Sequence, residues 1–184
     1  MATNAPVWET VDMEKDISAT QYVRLHVDPA SGQMVVPPRV CSTRAPEFPV
    51  VPSDLAMRKH RYAYTVGTHK EFELRDKGTG AAGAILKIDA EDPSQTEAFS
   101  FEPHEFVGEP MFVPKVGADV RDTEDRGYVV CHVLNGRDLT TDLVILDVEG
   151  KGSLERGPVS RVRLPTFVPH GLHGIWEENA VFDF

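Results

Sequence analysis

Long apolar runs are missing from this chain. The longest, such as Leu143-Val144-Ile145-Leu146, are strand-sized, whereas a membrane-spanning helix needs about 20 apolar residues. Cysteine is scarce: Cys41 and Cys131 are the only two, and they form no CxxC or zinc pattern. A disulfide scaffold is thereby excluded, and free thiols in a reducing compartment are expected. Positive charge is also short. Lysine and arginine total 19 against 29 aspartates and glutamates, a net charge of −10, and no basic patch offsets it. Nucleic acid is not an expected partner, because its phosphates would be repelled. No stretch sustains an apolar pattern of period 3.6, and only Val11–Thr20 has room for a short helix. The first 17 residues hold four acids and one lysine. They have neither the basic start and apolar core of a secretory signal nor the arginine-rich make-up of a transit peptide.

What is present is strand and turn. At 184 residues and 41% hydrophobic, the chain suits one domain or part of a larger one. Fourteen glycines and fourteen prolines are spread along its length. Short apolar or alternating runs predict strands at 22–27, 61–67, 84–89, 97–101, 110–113, 127–134, 143–148 and 159–164. Between them stand turn signals such as "DPASGQ", "EDPSQ" and "EGKGS". Short strands at regular spacing predict an all-β sandwich or propeller. The strongest local unit is a hairpin, 127–134 and 141–147, reversing at Asn135-Gly136, a pair that favours positive φ. Its near-continuous apolar arms suggest strands covered on both faces. The alternating run after it, 158–164, belongs further out.

Three segments carry ionisable residues inside Pro- or Gly-bounded apolar settings: Pro46-Glu47-Phe48-Pro49, Gly108-Glu109-Pro110-Met111-Phe112, and Pro169-His170-Gly171-Leu172-His173-Gly174-Ile175-Trp176. A carboxylate beside Pro and Phe is costly to bury alone. The cost is offset if it accepts a hydrogen bond from a metal-bound imidazole, fixing that ring. Taken singly, Glu47 and Glu109 read more readily as surface acids beside turn prolines, since most glutamates are exposed. Gly171 and Gly174 would let the backbone turn and come close to a crowded centre.

Taken together, "PEFPVV", "HRYAYTVG", "GEPMFVP", "TDLVILD" and "VSRVRLPTFVPHGLHGIW", in this order over roughly 23–176, resemble the C-terminal part of the carotenoid cleavage oxygenases. That family includes carotenoid, apocarotenoid and stilbene dioxygenases and a retinoid isomerohydrolase. The resemblance implies a seven-bladed β-propeller with antiparallel four-stranded blades, of which residues 1–184 would form the last two to three. It implies Fe(2+) on the propeller axis, bound by four histidines that three glutamates brace. His173 matches the last of those histidines, Glu47 the glutamate of the EFP motif and Glu109 that of the GEP motif. The reaction implied is cleavage of a conjugated C=C bond by O2, with an apolar polyene as substrate: a carotenoid, an apocarotenoid or a stilbene.

The other three ligands and the third glutamate have no counterpart here. His26, His60, His69, His104, His132 and His170 lie outside the family's ligand motifs. His170 is expected to be a solvent-side turn residue, since its offset in extended chain points it away from His173. His132 is expected to be a packed or edge histidine, and 119–125 a solvated acidic loop. Phe48, Phe112, Phe167 and Trp176 are candidates for cavity lining or for core. The chain is thus expected to lack N-terminal blades and to be inactive alone. It would pair with a separate N-terminal segment or self-associate through open blade edges. The alternative is a catalytically incomplete β domain of this descent that binds a hydrophobe or a partner without iron. The expected location is the cytoplasm, or a plastid if the source is a photosynthetic eukaryote.

Overall fold

A computed structural model describes residues 20–70 and 81–177. These residues form β1 (Tyr22–Val27), β2 (Met34–Ser42), β3 (Glu47–Val50), β4 (Tyr62–Thr68), β5 (Ala82–Asp89), β6 (Glu97–Ser100), β7 (Glu105–Val107), β8 (Met111–Pro114), β9 (Gly127–Asn135), β10 (Thr140–Asp147) and β11 (Pro158–Arg163), with three short 3-10 turns. The all-β expectation holds. One sheet runs β3-β4-β5-β6; a second runs β11-β10-β9, with β7 and β8 both pairing with β9; β1 and β2 make a separate hairpin. Each larger sheet is an antiparallel meander, the arrangement expected of a blade. Among the described residues no helix is long and apolar enough to cross a membrane.

β7 and β8 act as one interrupted strand. β7 lies against the end of β9 and β8 against its start. Between Val107 and Met111 the chain takes four steps while β9, from Val133 to Val130, takes three. The extra residue falls at Gly108-Glu109-Pro110, where Pro110 cannot donate to the ladder. The first strand of the other sheet breaks in the same way. From Glu47 to Val50 it takes three steps while β4, from Val66 to Tyr64, takes two, so an extra residue falls at Phe48-Pro49. Both carboxylate motifs therefore stand at a bulge in the leading strand of a sheet.

Three strands escaped the periodicity. β2 contains Pro37-Pro38, β3 contains Pro49, and β7 is only three residues long; proline reads as punctuation and three residues show no period. The Val11–Thr20 helix lies, but for Thr20, outside the described residues. The hairpin of β9 and β10 forms as expected, but its reversal differs. Positive φ falls on Leu139 (51°), not Gly136. The Asn135 side chain accepts from the N–H groups of Arg137 and Asp138, making a longer loop that suits a four-residue connection. Gly136 is needed for closeness instead: a Cβ there would meet the Phe106 ring at 2.8 Å.

The two sheets share one core. Tyr64 of β4 stacks on Phe112 of β8 with ring centroids 5.4 Å apart. Val66 and Ile85 join Val129, Cys131, Val133, Val144 and Leu146 in the same cluster. A buried ion clasps the seam. Lys87 of β5, 2% exposed, donates to Asp125 Oδ2 at 2.7 Å and to the carbonyls of Val148 and Gly150. Its ammonium also lies 4.5 Å from the Tyr62 ring centre. Glu97 of β6 makes a second tie, accepting from the Gly152 and Leu154 N–H groups and the Ser153 hydroxyl. The acidic loop is therefore only partly solvated: Asp125 is in the clasp, and Glu124 accepts from the Arg61 and Tyr62 N–H groups. Charge alone could not show this, because the partners are far away in sequence.

On β10, Asp142 is buried and held by Arg161 and Arg163 of β11. Burial alone would raise its pKa, but the two guanidiniums outweigh it and hold the carboxyl below its usual range. Asp89, buried and bonded to Arg61, is lowered in the same way.

Three outcomes are expected. Lys87→Met leaves Asp125 buried without its cation and costs about 3–5 kcal/mol, read as a lower urea midpoint. Carboxyls with lowered folded pKa stabilise the fold above the unfolded value, about 3.9, and that stability is lost as pH falls through the folded values. Acid unfolding should thus steepen below about pH 4, and Asp142→Asn should make the limb shallower. Burial pushes the Cys131 thiol up to about 12, so at pH 8 it should react with a disulfide reagent only after denaturant is added.

Candidate functional site

After β11 the chain leaves the sheet and returns along its face. Thr141 of β10 holds it: the Thr141 hydroxyl donates to the Val168 carbonyl at 2.8 Å and accepts from the Val168 N–H at 3.0 Å. A few residues on, the segment meets the bulge between β7 and β8. There Glu109 makes two contacts. Its Oε1 lies 3.2 Å from His173 Nδ1, and its Oε2 accepts from the Gly174 N–H at 2.6 Å. One carboxylate thus fixes both the ring of residue 173 and the backbone that follows it.

An ionised carboxylate can only accept, so in the neutral ring this pairing favours the tautomer with the proton on Nδ1 and the lone pair on Nε2. Against the same ring stands Phe48, from the bulge of β3. The two rings are 5.8 Å apart at 83°. His173 itself is open to solvent, its side chain 74% exposed, while Glu109 is 19% exposed. The site lies at the seam of the two sheets: Glu109 comes from one and Phe48 from the other.

The structure brings Glu109 and His173 together. Glu47 is on β3, exposed, next to Phe48; its backbone belongs to the β3–β4 pairing, and the hydrogen bond to His173 Nδ1 is made by Glu109 instead. His170 is exposed, as expected, yet it helps line a cavity of about 310 Å³ with His132, His173, Glu109 and Thr141. His132 is an exposed residue within β9, not a packed one. Of the four aromatics, Phe112 is core, Phe48 meets the His173 ring, and Phe167 and Trp176 are about half exposed.

The two glycines divide against the expectation of a turn and a close approach. Neither Gly171 nor Gly174 has positive φ. A Cβ on Gly174 would lie 3.2 Å from Met111 Sδ, so that glycine serves a close approach; one on Gly171 would meet nothing within 4 Å. The role of Phe48 was not visible in the sequence, although the proline after it marks a break in the strand.

For a metal, His173 with Nε2 free and Nδ1 braced by a carboxylate has the chemistry of one ligand. Among the described residues no group of three or more His, Cys, Asp or Glu could hold a metal ion. Among the described residues these side chains therefore fit one arm of a metal centre and do not make a complete one.

Known proteins share this arrangement of strands. A family model described as RPE65, retinal pigment epithelial membrane protein, matches residues 2–178. The apocarotenoid-15,15'-oxygenase of Synechocystis sp. is 32% identical over 92% of this chain and 33% of its own length. A carotenoid cleavage oxygenase of Mycobacterium tuberculosis is 37% identical over 72% of this chain and 25% of its own length. The lignostilbene-alpha,beta-dioxygenase isozyme III of Sphingomonas paucimobilis is 30% identical over 73% of this chain. Among solved structures, a single-residue variant of Synechocystis apocarotenoid oxygenase superposes with a TM-score of 0.78 at 29% identity, covering 92% of this chain and 32% of that one. A cobalt-substituted form of the same protein gives 0.76 at 29% identity, over 94% and 33%. The chain spans about a third of the length of the Synechocystis relative. With the family model matching nearly its whole length and the bulge at Gly108-Glu109-Pro110 holding His173, the chain belongs to the carotenoid oxygenase family that includes RPE65.

Proposed function

We propose that this chain is the C-terminal portion of a non-haem iron dioxygenase that cleaves a conjugated C=C bond of a carotenoid or apocarotenoid. The observation that carries this reading is the Glu109 carboxylate engaged with both His173 Nδ1 and the Gly174 N–H. An orienting partner on Nδ1 is what a metal-ligating histidine requires, and imidazole is a good ligand for ferrous iron. The relatives' names, carotenoid and apocarotenoid oxygenases, supply the substrate class; the stilbene dioxygenase among them keeps a stilbene open as the polyene.

In this reading His173 would hold the iron through Nε2, Glu109 orients the ring and would carry negative charge to balance the metal, and Glu47 would brace a different histidine. Bound iron would supply the activation of O2. The chain's own residues orient: the Thr141–Val168 pair and the Glu109–Gly174 contact set the path along which His173 is presented. Residues 1–184 would form the last blades of a propeller, with the remaining ligands on the part of the relatives that this chain does not match.

The test is a chimera in which this chain replaces the matching C-terminal third of the Synechocystis apocarotenoid oxygenase. It should bind one iron per chain and cleave an apocarotenoid, and His173→Ala should abolish both while leaving the circular dichroism of the strands intact. Iron bound equally by the chimera and by its His173→Ala form would overturn the reading and favour a β domain that works without this centre. Glu109→Gln keeps the size but not the charge; in the chimera it should weaken iron binding about 10- to 100-fold, measured by competition with a chelator.

A further inference from the structure

Phe48 is the strained residue of this site. Its φ is 51°, in the left-handed region, where a bulky side chain is a genuine outlier. It also precedes Pro49, and proline restricts its predecessor to extended conformations. Such a conformation persists only when the surroundings impose it. Here the imposing element is the bulge: the extra residue between Glu47 and Val50 falls at Phe48-Pro49. Bulges re-aim side chains. This one leaves Phe48 packed against the shared core of the two sheets, with its ring perpendicular to that of His173.

The geometry explains why a second contact matters. The Glu109–His173 bond holds one atom of the imidazole, Nδ1. With Cγ tethered by the side chain and Nδ1 by this bond, the ring can still rock about the line through those two atoms, and rocking swings Nε2 through space. An aromatic edge-on contact blocks the rocking and adds a favourable interaction of its own. His173 has few other neighbours to do this, being largely exposed.

We propose that Phe48 is a positioning residue for His173: the strained bulge of β3 directs its ring onto the imidazole and fixes the plane in which Nε2 points. The EFP segment thereby acts on this histidine through its aromatic residue, across the seam between the sheets. The inference rests on the iron-centre reading above for its purpose, but not for its test, which is made on the metal-free chain.

With 13C-labelled histidine, relaxation of the His173 ring carbons reports how ordered the ring is. In the unaltered chain the ring should be as ordered as the backbone around it. Phe48→Leu should loosen it and remove the ring-current shift on its protons, while the ring nitrogens still show the proton on Nδ1. Phe48→Tyr should restore order. Phe48→Gly removes the ring and suits the left-handed backbone, so it keeps the test valid if the leucine variant fails to fold, and it too should loosen His173. A His173 ring equally ordered in Phe48→Leu or Phe48→Gly and in the unaltered chain overturns the proposal. Failure of the chimera to bind iron through His173 would overturn the iron reading alone and leave this relaxation result standing.

Discussion

A single buried ammonium sets the relation on which the site depends. Lys87 belongs to one sheet, and its partners, Asp125 and the carbonyls of Val148 and Gly150, belong to the chain flanking the other. An ion so deeply buried is tolerated only when every donor is used, and its three bonds fix where the second sheet must lie. The stacked Tyr64 and Phe112 rings and the β-branched residues around them fill the space so defined. His173 is then caught between a carboxylate from one sheet and an aromatic ring from the other. A shift of an ångström at the seam would separate those two contacts, because neither sheet alone supplies both.

The two sheets solve the same local problem in parallel ways. In each, the leading strand gains one residue next to a proline, and in each that residue adjoins a glutamate. A regular strand would alternate its side chains between the two faces and give the ladder a hydrogen bond at every other residue. Breaking the ladder frees a short piece of chain to aim a polar or aromatic group out of the sheet. Glu109 uses this freedom to reach the returning segment; Phe48 uses it to meet the imidazole.

Much of this was legible in the residues. Glu109 and His173 stood out through the GEP and PHGLHGIW motifs they share with the family, since each taken singly reads as ordinary surface, and the structure joins them. The strands with clean alternation or continuous apolar character, β4, β5, β9 and β10, were readable because their neighbours in space are also neighbours in sequence. Less was visible where the partner is remote. Asp125 looked like one acid in a solvated run, and only Lys87, 38 residues earlier, makes it structural. Phe48 looked like core or cavity lining, because nothing in a tripeptide shows that its backbone is left-handed. Gly136 seemed chosen for its φ, yet it is the Phe106 ring that forbids a side chain there.

Among the described residues, hydrogen bonds fasten the returning segment at two places, Thr141 with Val168 and Glu109 with residues 173 and 174, and the Phe48 ring adds an aromatic contact. Almost every residue from Pro165 to Glu177 is exposed. Opening such a stretch breaks a handful of hydrogen bonds and uncovers little apolar area, so it costs far less than separating the sheets. The histidine therefore rides on an arm that can open while the sheets stay together. Any ion it helps to grip would act as a latch on that arm, protecting its amides from exchange with solvent well before it altered the melting of the strands beneath.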